Sequence, residues 1–228
     1  RQGQMDILGF TVNPIKVVTN YKRLIQQRPS AQVVAFVRSN TVKAVISAVR
    51  GGMTHELCGA DNLRAEEAAK CQIPKVISID AAQFERMVYE RMVLERRFIE
   101  LIYSLQRPVF EVTYENLQAD PQRTINQLLQ FLGKPGERVL RSVKTVSSDV
   151  QPTQKGGKTS LRPASGADGW VKRSSDDLRD HITNFGELLS VVRKVHSLCL
   201  ERQLTSTQPG ISFPPCSLPS FWISNPPS

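Results

Sequence analysis

Arg38, Lys43 and Ser47 stand in the stretch VVAFVRSNTVKAVISAVRG (Val33–Gly51), where a short apolar run stops on a guanidinium and an amphipathic segment follows. Arginine grips a phosphate through two parallel hydrogen bonds, and a serine hydroxyl donates another. A helix that starts just after Asn40 would add backbone N–H groups and the positive end of its dipole. Residue types and order therefore describe a small anion clasp, with Arg38 and Ser47 as its candidate ligands. The plainer reading is an arginine closing a strand and a serine that faces solvent or bonds back to its own helix.

Such a clasp needs an architecture that brings strand ends and helix starts together. Gln32–Val37 is short and rich in β-branched residues, the pattern of a strand covered on both faces. Asn13–Gln27 and Thr41–Arg50 carry apolar residues at helical spacing, and Gly51–Gln72 reads as a long surface connection. Pro74–Ile79 is a second strand candidate. Asp80 is placed to cap a long helix reaching about Gln106, with Phe84, Met87, Val88, Leu94 and Phe98 on its stripe. Pro108–Thr113 forms a third strand and Tyr114–Leu117 a loop. Asp120-Pro121 then opens a helix that Gly133 ends. Val150–Ala167 reads as a loop, and one helical segment runs on to Gln203. This alternation predicts an α/β fold, a parallel sheet flanked by helices. Ligands in such sheets sit beyond the carboxyl ends of the strands, where Arg38 lies.

Thr205–Ser228 holds six of the fourteen prolines and has no periodicity, so a tail without a fold of its own is expected after a domain spanning residues 1–204. Cys58, Cys71, Cys199 and Cys216 have no zinc spacing and no CxxC. Cys58 and Cys71 could close a loop in an oxidising compartment, and free thiols are the alternative. The net charge of +9 suits phosphorylated or polyanionic ligands, or merely a Lys- and Arg-rich surface. Aromatic residues make up 7% of the chain and do not interleave with a basic stripe, which argues against stacking on single-stranded nucleic acid. No run of eighteen apolar residues marks a bilayer span, and no charged-then-apolar leader opens the chain.

Strand, Arg38, short turn, helix and Ser47 together resemble the 3′-phosphate-binding segment of sulfotransferases that use PAPS (3′-phosphoadenosine 5′-phosphosulfate). VFEVTYENLQADPQRTINQLLQFLG (Val109–Gly133) is similar to the strand, Tyr-Glu-x-Leu and Asp-Pro run of the same family. ELCGADNLR (Glu56–Arg64) and DDLRDHITNFGEL (Asp176–Leu188) resemble plant and algal carbohydrate-type members. The resemblance implies a P-loop NTPase-like sulfotransferase fold, PAPS as donor with no metal, and a hydroxyl or amine acceptor, with a carbohydrate such as an acidic glycan among the candidates. It also implies a Golgi compartment. Ser47 follows Arg38 by nine residues where many relatives have eight, and one residue turns a helical side chain by about 100°. Met5–Pro14 looks like the segment that follows the family's 5′-phosphosulfate loop, and no Gly-rich phosphate loop precedes it. The resemblance thus implies a domain incomplete at its N-terminus, and a chain that need not be active alone.

The transfer needs a base for the acceptor's proton and cations for the leaving phosphate. His55, expected in the loop after the clasp helix, is the candidate base, against the plainer reading of an exposed loop histidine. Glu115 reads as structural, bonding backbone or a basic neighbour. His181 and Asn184 read as packing and capping residues. Lys155, Lys158 and Arg162 lie in a basic loop that could close over the 3′-phosphate, or serve only as a solvated linker. GGKTS (Gly156–Ser160) lacks the first glycine of a Walker motif and follows no strand. Two other classes stay open. A P-loop kinase-like nucleotide enzyme would need a metal ion. A basic polyanion-binding module would show a steep salt dependence without nucleotide preference.

Overall fold

The structure, a computed structural model, describes Arg23 and residues 26–60, 71–134, 177–208 and 210–228. Two strands, β1 (Val33–Val37) and β2 (Val109–Thr113), pair in parallel with Val33 opposite Val109 and Val37 opposite Thr113. Parallel neighbours need a crossover, and here helices α1 (Thr41–Cys58) and α2 (Ala81–Ser104) lie between them in sequence. The chain goes on through α3 (Tyr114–Ala119), α4 (Pro121–Phe131), a 3₁₀ turn at Leu178–Asp180, α5 (Phe185–Lys194), α6 (Leu198–Thr205) and α7 (Ser220–Ser224). The expected α/β class is met by this small parallel sheet with helices around it. The predicted Asn13–Gln27 helix, Met5–Pro14 and the Val150–Ala167 loop lie wholly or almost wholly outside the described residues.

The core sits among helices rather than on the sheet. Val42, Val45 and Ile46 of α1 meet Phe84, Val88 and Met92 of α2, with Leu188 and Val192 of α5 and Leu200 and Leu204 of α6. Asp80 caps α2 as expected, its Oδ1 accepting from Gln83 N at 2.7 Å. Asp120 does the same for α4 through Arg123 N at 2.9 Å, with Pro121 at the first helical position. Gly133 follows α4 at φ 73°, a left-handed conformation that suits glycine.

Several elements depart from the sequence expectations. Helix α1 does not stop at Gly51 but runs through Gly51-Gly52 to Cys58, ending on Gly59 at φ 74°. Each interior glycine costs a helix about 1 kcal/mol relative to alanine; burying Thr54 and packing Met53 on the core offsets that cost. Pro74–Ile79 is not a strand. Ile77 alone makes a parallel bridge, to Ile182, donating to His181 O at 2.9 Å and accepting from Thr183 N at 3.0 Å. Tyr114–Leu117 is helical rather than a loop, because Thr113 Oγ1 caps α3 by accepting from Asn116 N at 3.0 Å. The helical segment to Gln203 breaks at His196, where φ is 51°, and restarts on Ser197.

Burial of β1 also differs. Ala35 is buried, whereas Val34 and Phe36, which alternation turns to the other face, are 40% and 60% exposed. Phe110 shares their face and stacks on Phe131 of α4 at 5.4 Å, so α4 shields β2 there and leaves β1 open.

The tail is the largest departure. Thr205–Ser228, expected to have no fold of its own, carries α7, and Trp222 is buried in the core. Its indole donates to Glu85 Oε1 at 3.0 Å and meets Tyr89 edge to face at 6.0 Å. Disulfides join Cys58 to Cys71 and Cys199 to Cys216, so the four cysteines are paired rather than free. The second bridge ties the tail to α6. Low apolar content can therefore hide one aromatic anchor and one covalent tether.

Candidate functional site

The register of two strands builds the site. With Val37 opposite Thr113, the next residues of each strand emerge side by side at the carboxyl edge of the sheet. Arg38 then lies over Tyr114, its Cζ 4.7 Å from the ring centroid, within the range of cation–π attraction. Glu115 is close by, 4.0 Å from Arg38 Nε. Its side chain is only 8% exposed, while 27% of the Arg38 side chain reaches solvent. The ring and the carboxylate steady the guanidinium, and its exposed part can meet a ligand.

Glu115 does more than face Arg38. Oε2 accepts from Ser39 N at 2.8 Å and Oε1 from Asn40 N at 3.2 Å. The structural job expected of Glu115 is thus met on both counts, backbone and basic neighbour. A carboxylate so engaged is not placed to take a proton from an acceptor.

The entrance to α1 is equally occupied. Lys43 N donates to the Asn40 cap at 2.8 Å, and Val42 N donates to Gln203 Oε1 at 3.2 Å. Ser39, Asn40, Val42 and Lys43 have therefore given their backbone N–H groups to the protein's own side chains. The expected clasp of unpaired helix-start amides is corrected on this point. Glu115 already fills the positive end of the helix, and an anion at this edge would meet side chains, Arg38 first.

Ser47 is exposed on α1, one turn beyond Lys43 on the same helical stripe. Lys43 adds a little to the positive field around Asp177. Asp177 and Arg179 form a close pair, with Nη2 to Oδ2 at 2.6 Å and Nε to Oδ1 at 2.9 Å. These hydrogen bonds hold the Asp177 carboxyl below its ordinary range and push the exposed Arg179 up.

His55 is not in a loop but exposed in the last turn of α1. At 1.5 Å per residue it stands roughly 21 Å along the helix from Thr41, at the far end from Arg38. Lys155, Lys158 and Arg162 lie outside the described residues. His181 Nδ1 is 3.2 Å from Lys75 O, and Asn184 clasps Ile79 through its side chain, donating to Ile79 O at 2.7 Å and accepting from Ile79 N at 3.1 Å. Asn184 stands at the N-cap position of α5, yet its side chain makes no cap hydrogen bond there and bonds Ile79 and Glu187 instead, so the expected capping role is corrected. Gln203 is the residue that sequence reading missed: it lies more than 160 positions from the turn it touches, and nothing local marks it. Among the described residues no group of three His, Cys, Asp or Glu side chains could hold a metal ion, and no helix is long and apolar enough to cross a membrane.

Residues 76–199 match the sulfotransferase domain family, a stretch that takes in Tyr114, Glu115 and the Asp177–Leu188 region. No curated protein and no solved structure matches the chain. Arg38 and Ser47 precede the matched stretch and Gln203 follows it, yet β1 pairs with a matched strand and Arg38 rests on matched side chains. The match covers just over half of the sequence, and the chain belongs to the sulfotransferase domain family.

Proposed function

We propose that this protein moves a sulfuryl group from PAPS to a hydroxyl or amine of a carbohydrate acceptor, within a P-loop-like sulfotransferase fold. Arg38 holds the donor's 3′-phosphate, Ser47 adds a hydroxyl from the second turn of α1, and Lys155, Lys158 and Arg162 close over the nucleotide. The sulfur–oxygen bond to the donor phosphate breaks as a new one forms to the acceptor oxygen or nitrogen. The acceptor's proton passes to a base, and adenosine 3′,5′-bisphosphate leaves. No described residue is assigned as that base: Glu115 is engaged by the backbone, and His55 stands at the wrong end of α1.

One observation carries the reading. In-register parallel pairing sets Arg38 on Tyr114 and beside Glu115 at the sheet's carboxyl edge, in a chain of the sulfotransferase domain family. Net charge of +9 suits a bisphosphorylated donor and an acidic glycan. Two disulfides suit an oxidising secretory compartment such as the Golgi lumen.

Thermal-shift titration in EDTA tests the reading. Adenosine 3′,5′-bisphosphate should raise Tm with ligand excess. A shift that needs Mg²⁺ and follows ATP instead would overturn it in favour of a phosphoryl-transfer enzyme. Binding that falls steeply with salt and ignores the nucleotide would leave a polyanion-binding module.

A further inference from the structure

The turn Arg38-Ser39-Asn40 is held from two sides, and the second side is unrelated to the family match. Gln203 on α6 is fully buried. Its Oε1 accepts from Val42 N at 3.2 Å, while Nε2 donates to Ser39 O at 3.1 Å and to Cys216 Sγ at 3.2 Å. Its backbone carbonyl accepts from Asn40 Nδ2 at 3.0 Å. One residue thus bonds Ser39, Asn40 and Val42, the three positions that aim Arg38 from one side and start α1 on the other. A further contact comes from the tail, where Phe213 N donates to Ser39 Oγ at 3.0 Å.

Only an amide fills this place. A carboxylate at position 203 would turn an acceptor on Ser39 O and bury a charge; an apolar side chain would leave Val42 N and Ser39 O unmet. The bridge from Cys199, on the same helix, to Cys216 keeps the tail against that amide. Gln203, Phe213 and Cys216 all lie beyond residue 199, where the family match ends.

We infer that Gln203 is a positioning residue for nucleotide recognition, and that the Cys199–Cys216 tail is a brace that holds Arg38 on the 3′-phosphate. The inference rests on the proposed function, since it assumes that Arg38 meets that phosphate. Gln203 itself touches no ligand and acts through the turn. Loosening the brace should therefore spoil recognition of the 3′-phosphate and spare the rest of the nucleotide.

The test compares two probes, adenosine 3′,5′-bisphosphate and adenosine 5′-phosphate, by calorimetry on the full chain. Wild type should bind the first at least tenfold more tightly. In Gln203→Met that ratio should fall by about tenfold, the size expected from losing one good hydrogen bond's worth of alignment. Val192→Ala, a core truncation away from the turn, should lower Tm and keep the ratio. Should Gln203→Met fail to fold, Ser39→Ala, which removes only the acceptor of Phe213 N, and the Cys199→Ser/Cys216→Ser pair serve instead, each expected to lower the ratio at least twofold. A ratio that falls with Arg38→Ala but is kept by every brace variant overturns the inference and leaves the function standing. No preference for the 3′-phosphate in wild type overturns both.

Discussion

The two ends of helix α1 are built on opposite plans. At its start, Asn40 and Thr41 are buried, and Glu115 and Gln203, more than seventy and 160 positions away in sequence, take the backbone donors. At its end, Glu56 and Leu57 are exposed, Gly59 closes the last turn by donating to His55 O at 2.8 Å, and a disulfide to Cys71 ties the helix to the next segment. The first end is fixed by distant polar side chains that also aim a guanidinium. The second is fixed by local geometry and a covalent link. The proposed site lies at the end where orientation is over-determined.

Glu115→Ala should break this contrast most severely. It strips acceptors from two N–H groups at the turn, and charge-assisted bonds of that kind contribute about 1.5–3 kcal/mol each. Denaturant unfolding should show a loss of roughly 3 kcal/mol or more, with nucleotide binding abolished. Breaking the other end with Cys58→Ser/Cys71→Ser should cost about 3 kcal/mol by the loop-closure argument, yet leave the affinity for adenosine 3′,5′-bisphosphate unchanged. Gly59→Ala, which forces a side chain into the left-handed region, should cost about 1 kcal/mol and again spare binding. His55→Ala should leave the transfer rate unchanged.

The smallest effect on stability concerns Asp177. Its hydrogen bonds from Arg179 favour the charged form, so its folded pKa lies below the unfolded one. Its contribution is present above the unfolded value and is lost as pH falls through the folded one. The Tm gap between wild type and Asp177→Asn should therefore be open at neutral pH and begin to narrow only as pH falls below about 4.

What could be read from sequence was local. Asp80 and Asp120 cap their helices through the amide three residues on, and both were legible because cap and partner share one turn. The run Val33–Val37 and its parallel partner were equally legible. Residues whose partners lie far away were not. The continuation of α1 through Gly51-Gly52 depends on core contacts that compensate two poor helix formers. The burial of Trp222 depends on packing between α2, α5 and the tail, and no local signal marks the left-handed turn at His196. At the proposed site, Arg38 and Glu115 were legible as candidates because each follows a strand in a recognisable motif. Gln203 was invisible, since a glutamine in an amphipathic helix shows nothing of the turn it will meet.

The claim at the centre is that Arg38 recognises the 3′-phosphate. Isothermal titration of wild type and Arg38→Ala with adenosine 3′,5′-bisphosphate tests it most directly. Removing a bidentate guanidinium–phosphate contact should weaken binding by about 1.5–3 kcal/mol, which is tenfold or more. Equal affinity in the two proteins would contradict the account.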